Sequence, residues 1–346
     1  MALNGRLPDL KGYTDALLNW VGGRGKILIV VHDNPDPDAL ASAMALRHLF
    51  AVRTNREAII AFSGMIGRSE NLAMAKNLQI PLTPFQLIEL KAFPVVCLLD
   101  SQPGTGNNAL PPGARVDLVI DHHPMREGSA TCKWIDIRPD YGATSTILYE
   151  YLRVQGISIG TKLATALFYA IKSETQDLGR EAKRPDREAY LTLFPLANKV
   201  LLNSIVRPRL PREYFAALHS GLRHARIYGN VLVASLKHVQ FPEVVAEFAD
   251  LVVRLEGVET ALCMGHVNRQ MILSIRTESQ ELNAGELLRT VVDGYGSAGG
   301  HGMMAGGKLN ETDESDEAMT ATEGLMIRRF LEYLGVVQGE PECLIP

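Results

Sequence analysis

Residues 32–38 read His-Asp-Asn-Pro-Asp-Pro-Asp, which puts His32, Asp36 and Asp38 into one short turn. Asp33, Asp36 and Asp38 repel one another unless a cation sits among them, and a divalent metal is the natural one. Each proline fixes its own φ and pushes the residue before it toward extended backbone, so Asn34 and Asp36 cannot run on into a helix and the turn is stiff. The competing reading makes Asp38 a helix N-cap, Asp33 and Asn34 turn formers, and His32 a satisfied loop histidine. More donors of the same kind stand at Asp100, at Asp121-His122-His123, and at Glu174 and Asp177. His32, Asp36, Asp38, Asp100, His122 and an acidic residue near 174 make a mixed imidazole and carboxylate set. Hard oxygen donors with a minority of nitrogen suit manganese or magnesium. Four or more carboxylates point to two ions, because one dication would leave several charges uncompensated. Two ions side by side can clamp a phosphoryl group and lower the pKa of a shared water.

These residues must be delivered by regular elements. Ile27–Val31 is an uninterrupted β-branched run and reads as a buried strand, with a helix following over about 39–51. Further strands are expected at 58–62, at 94–99 ending on Asp100, and at 116–120 ending on Asp121-His122-His123. Helices are expected at 9–21, after Tyr141-Gly142-Ala143-Thr144-Ser145, and at 161–173, which delivers Glu174. This alternation predicts an α/β fold with a mostly parallel sheet covered on both faces. Such open sheets hold ligands beyond the carboxyl ends of their strands, and three of those ends carry His, Asp or Asp-His-His. The proline-containing stretch 181–215 leads into a second set of elements: a strand at 231–236, a hairpin over 259–265 and 270–276, and a helix at 283–293. A glycine-rich segment at 294–309, an acidic solvated connection at 311–317 and a terminal helix near 321–334 complete the chain.

At 346 residues the chain exceeds what one hydrophobic core usually supports, so two domains are expected. A net charge of -4 argues against a broad basic surface for long duplexes but allows a small anionic substrate. Cys97, Cys132, Cys263 and Cys343 form no C-x-x-C pair and read as reduced thiols of a cytoplasmic protein. The N-terminus lacks a secretory pattern and no apolar run is long enough to span a bilayer, so no membrane partner is expected. A homodimer is expected only from the general frequency of two-fold assemblies.

The segments HDNPDPDALAS at 32–42, LLD at 98–100, DHH at 121–123, YGATS at 141–145, SET at 173–175 and SAGGHGMMAGG at 297–307 together resemble a DHH phosphoesterase with its associated C-terminal domain. The branch most similar is the nanoRNase/pAp phosphatase group, which acts on very short RNAs and on 3'-phosphoadenosine 5'-phosphate. The resemblance implies a DHH catalytic domain over 1–190, a helical linker over 191–218 and a smaller α/β substrate-binding domain over 219–346, with the active-site cleft between the domains. It also implies two Mn2+ ions, with Mg2+ as the alternative. His32 and Asp36 would bind one ion, Asp38 and His122 the other, and Asp100 would bridge them. Asp121 would orient a ligand, and His123 would face the substrate phosphate. The family pattern has Thr-Asp-Thr-Gly where this chain has Ser173-Glu174-Thr175-Gln176. Glu174 is favoured as the remaining ligand, with Asp177 nearby as a supporting group or substitute. In the second domain Arg276, Gly300 and His301 would hold the substrate. Their competing readings are an unpaired surface arginine and a flexible turn with an incidental histidine. Alternatives for the whole chain are an exopolyphosphatase or pyrophosphatase-like hydrolase, and a weakly active nucleotide-binding regulator.

Overall fold

A computed structural model of the chain describes residues 9–64, 66, 68–179, 182–310, 315–336 and 340–345. The chain divides into two compact units, residues 1–208 and 209–346. The division lies inside the segment read as linker, whose helices pack into the units on either side.

The first unit is built on a six-stranded parallel sheet: β1 (Ile27–Val31), β2 (Ala58–Phe62), β3 (Leu82–Pro84), β4 (Val95–Leu99), β5 (Leu118–Asp121) and β6 (Trp134–Ile137). Their spatial order is β3-β2-β1-β4-β5-β6. Every residue of β1 is buried, as a central strand covered on both faces requires. Its side chains alternate. Ile27, Ile29 and Val31 join a large core with the helices, whereas Leu28 and Val30 join a smaller one with Phe85, Leu90, Leu110 and Cys132. Helices therefore cover one face, and loops with short 3-10 turns cover the other. Right-handed crossovers explain the division, because the chain winds outward from β1 to β3 over one face and from β4 to β6 over the other.

The helices are α1 (Leu10–Gly22), α2 (Pro37–Thr54), α3 (Ser69–Leu78), α4 (Thr144–Val154), α5 (Thr161–Glu174), α6 (Arg184–Leu193) and α7 (Lys199–Val206). The helix α2 is buried over most of its circumference, as its run of alanines and leucines allows. It begins at Pro37 with Asp36 as N-cap, so the competing reading that makes Asp38 the cap is off by two residues. Arg138 is fully buried beside α4. Its guanidinium forks onto Asp136 at 2.7 and 2.6 Å and reaches Glu150 at 2.7 Å.

The second unit carries a seven-stranded mixed sheet of β7 (Arg226–Tyr228), β8 (Val231–His238), β9 (Thr260–Val267), β10 (Gln270–Thr277), β11 (Gly296–His301), β12 (Met304–Asn310) and β13 (Glu342–Cys343). The helices α8 (Arg212–His224) and α9 (Glu243–Val252) pack on one face, α10 (Ala284–Val292) and α11 (Asp316–Tyr333) on the other. The glycine-rich segment, given no element from the sequence, forms the hairpin β11–β12. Gly300 is needed there, because a Cβ would lie 2.4 Å from the Met304 carbonyl oxygen. Of the acidic segment expected as a connection, 311–314 lie outside the described residues, and Asp316 and Glu317 open α11. No described helix is long and apolar enough to cross a membrane.

Candidate metal centre

The strand order reverses between β1 and β4, and at such a switch point two neighbouring strand ends open a crevice. His32, Asp33 and the capped turn leave the end of β1, and Asp100 leaves the end of β4. Asp100 adopts φ +54°, a left-handed conformation that re-aims its side chain as the strand stops. Its carboxylate is shared. One oxygen lies 3.6 Å from His32 Nε2, which is itself 3.6 Å from Asp36 Oδ1. The other lies 3.7 Å from His122 Nε2 and 3.9 Å from His123 Nδ1. These separations exceed hydrogen bonds and suit donors converging on ions with bonds of about 2.1 Å. Among the described residues, His32-Asp36-Asp100 and Asp100-His122-His123 are the two groups able to hold an ion.

The imidazoles are set for ligation. His122 Nδ1 donates to the Tyr141 carbonyl at 3.2 Å and His32 Nδ1 to the Asp33 carbonyl at 2.8 Å, which leaves each Nε2 as the ring nitrogen that faces the carboxylates. His122 Nε2 is buried and has no hydrogen-bond partner. A buried polar atom without a partner is costly, so the nitrogen fits a ligand better than a structural role.

The carboxylates crowd one another. Burial, the charges of Asp36, Asp38 and Asp100, and only partial relief from His123 push Glu174 up to about 9. Burial and the neighbouring Asp100 push Asp38 up to about 7, and Asp100 is raised by burial and Asp36. Asp36 goes the other way, to about 2: burial raises it, but the nearby His32 and the backbone N–H groups of Asp38 and Ala39 outweigh that. Burial opposes charge on His32 as well, but Asp36 and Asp100 hold it up to about 10. Divalent cations would relieve this congestion, so the donor set fits them.

Not every expected ligand stands alike. Asp38 lies outside both ligand groups, its oxygens accepting the N–H of Thr144 at 2.7 Å and of Ser145 at 2.8 Å. Each oxygen keeps a second lone pair. Asp177 is turned away: it binds Lys172 Nζ and Tyr190 Oη, each at 2.6 Å, and takes no part in the cluster. Its expected supporting role is thereby corrected, and Glu174 is the fourth-motif carboxylate that feels the site. Asp121 accepts from the His123 backbone N–H at 3.1 Å and pairs with the ring Nδ1 at 2.9 Å. Burial works against charge on His123, but Asp121 and the other acids hold it up to about 9. Sequence reading passed over Gln102, whose buried amide donates to Asp121 at 2.7 Å and accepts from Arg126 N–H and Ser129 Oγ. It also passed over Arg138. A polar residue amid apolar ones was the signal for Arg138, and Gln102 gave none.

In the second unit Arg276 is not an unpaired surface arginine. It is largely buried, pairs with Asp250 and donates to Ser274 Oγ and the Ile275 carbonyl, both at 2.9 Å. Arg276 and His301 are each in register with Met304, on the strands flanking β12, so their backbones share one row of the sheet. The side chain of His301 lies outside the described residues.

Comparison with known proteins agrees with this layout. A model of the DHH family N-terminal domain matches residues 26–171, and one of the DHHA1 domain matches 229–327. An uncharacterized protein of Methanocaldococcus jannaschii is 32% identical over 323 residues, covering 92% of this chain, which spans 66% of that protein's length. A probable manganese-dependent inorganic pyrophosphatase of Staphylococcus aureus is 26% identical over 150 residues, 43% of this chain and 48% of that one. An exopolyphosphatase-related protein from Bacteroides fragilis has the same fold, with a TM-score of 0.70 at 16% identity over 94% of this chain and 97% of that one. With its strand-end His and Asp residues, its order of motifs and both domain matches, the chain belongs to the DHH phosphoesterase superfamily and carries a DHHA1 domain.

Proposed function

We propose that the chain is a metal-dependent phosphoesterase of the nanoRNase/pAp phosphatase kind, acting in the cytoplasm on short oligonucleotides or 3'-phosphoadenosine 5'-phosphate. The observation that carries this reading is the Asp100 carboxylate, whose two oxygens each face a different imidazole-bearing group. His32 and Asp36 would hold one ion, His122 and Asp38 the other, with Asp100 and Glu174 reaching both. Two Mn2+ ions held there would polarise a phosphoryl oxygen and supply a nucleophilic water near neutral pH. The remaining residues hold and orient. Thr144 Oγ1 donates to Asp100 at 2.8 Å and fixes the shared carboxylate. His123, half-exposed and kept protonated by Asp121, offers a positive donor to a substrate phosphate. Arg276 and His301 would offer a phosphate contact on the second unit.

Phosphate chemistry alone would also serve a polyphosphate or pyrophosphate hydrolase, and the Staphylococcus aureus relative favours keeping that reading. The two separate in one experiment: Mn2+-dependent turnover of dinucleotides, 3'-phosphoadenosine 5'-phosphate, cyclic dinucleotides, pyrophosphate and tripolyphosphate. Preference for the first two supports the proposal. Hydrolysis of the inorganic anhydrides alone overturns it, and turnover of none would favour a nucleotide-binding regulator.

A further inference from the structure

Asp186 lies on α6, beyond residue 171 where the DHH match ends, and is fully buried. Its carboxylate gathers three donors: Gly142 N–H and Lys183 N–H, each at 2.9 Å on Oδ2, and the Thr146 hydroxyl at 2.6 Å on Oδ1. The Lys183 bond closes the first turn of α6. The other two reach across 44 and 40 residues of chain to residues 141–146, the loop that runs into the first turn of α4.

That loop touches three expected ligands. Its Tyr141 carbonyl accepts from His122 Nδ1, its Thr144 and Ser145 N–H groups hold both oxygens of Asp38, and its Thr144 hydroxyl holds Asp100. The loop is pinned at residue 141 by Arg138 and Glu150, which bond the Tyr141 hydroxyl, and at 142 and 146 by Asp186. Between the pins the packing is close: a Cβ on Gly142 would lie 2.8 Å from Thr175 Cγ2 and 3.1 Å from Asp186 Oδ2.

We propose that Asp186 is a positioning residue of the metal centre: it touches no substrate, and it sets metal affinity by holding the loop that orients Asp38, Asp100 and His122. The inference rests on the metal reading above. Geometry, more than charge, is the requirement. An asparagine could give its oxygen to the two N–H groups and its amide to Thr146, whose hydroxyl can turn to accept. An alanine strands both N–H groups.

The test measures Mn2+ affinity of the full chain by electron paramagnetic resonance of the free ion, with circular dichroism as the check on folding. Asp186→Ala is expected to weaken Mn2+ binding by roughly 10–100-fold, the range for partners that orient metal ligands. Asp186→Asn should stay within about threefold of wild type, since it can keep all three contacts. A merely structural carboxylate would lower the melting temperature and leave Mn2+ affinity unchanged. A folded Asp186→Ala variant with wild-type affinity therefore overturns the proposal. So does an Asn variant as weak as the Ala one, because charge would then be the cause. Where the Ala variant does not fold, Thr146→Val removes one loop contact and keeps the helix cap; it should bind Mn2+ more weakly, and wild-type affinity there overturns the proposal. A wild-type chain that takes up no Mn2+ would sink the metal reading and this inference together, whereas unchanged variants beside a binding wild type sink the inference alone.

Discussion

Asp100 combines three properties that seldom coincide: near-complete burial, a left-handed backbone and a carboxylate facing two imidazole groups. Replacing it with asparagine should reduce Mn2+-dependent phosphoesterase activity by more than the roughly 10–100-fold expected for an outer partner. Steady-state kinetics at saturating Mn2+ would check this. Glu174→Gln should weaken Mn2+ uptake while Asp177→Asn leaves it near wild type, because Asp177 is committed to Lys172 and Tyr190. Titration of each variant with Mn2+ decides between them. The strand-end positions of His32, Asp100 and Asp121-His122-His123 were legible in the sequence because each group follows an apolar run that reads as a strand. The choice at 174 needed coordinates, since helix α5 ends on Glu174 and the following residues Gln176, Asp177 and Leu178 all take positive φ. Such a turn reverses side-chain direction without leaving a pattern in residue types.

At the scale of elements, the end of β6 and the helix α4 are joined through Arg138, whose guanidinium is satisfied by Asp136, Glu150 and Tyr141. Arg138→Met would take the buried guanidinium away from Asp136 and Glu150, and a broken buried pair costs about 3–5 kcal/mol. Urea denaturation should show the lowered midpoint. The central strands and the helices after them were legible from apolar runs and spacing. The helix α3, the edge strand β6 and α9 were passed over: α3 mixes polar and apolar residues, β6 is a short Trp-Ile-Asp-Ile whose aspartate is buried, and α9 follows a proline within a nearly continuous apolar run. The hairpin β11–β12 left no strand signal for a physical reason. Glycine is disfavoured in strands, and these glycines are held extended by the pairing of β11 with β12 and of β12 with β10.

For the whole molecule, each unit has its own cores, so each is expected to answer pH in its own way. In the second unit Glu323 is buried among Ser235, Lys237 and His266, and their hydrogen bonds hold it down to about 2 against the cost of burial. A depressed carboxylate stabilises the fold above its unfolded value of 4.5 and loses that contribution as pH falls toward about 2. The contribution is on the order of 3 kcal/mol, and Glu323→Gln should flatten the acid limb of a melting curve. The first unit has the opposite sign. Asp38 and Glu174 are raised, and so are His32 and His123, so the folded unit binds more protons than the unfolded chain. In chelator its melting temperature should therefore fall as pH rises from about 6 to about 9, and added Mn2+ should reverse the fall. Calorimetry across that range, with and without Mn2+, would check it.

The partnerless nitrogen of His122 and the acids packed around it carry a physiological consequence. A chain starved of manganese would stand nearer its unfolding threshold, where cellular proteases remove whatever opens. Its abundance would then track the supply of the ion, and scarcity would thin the pool of molecules before it slowed any of them.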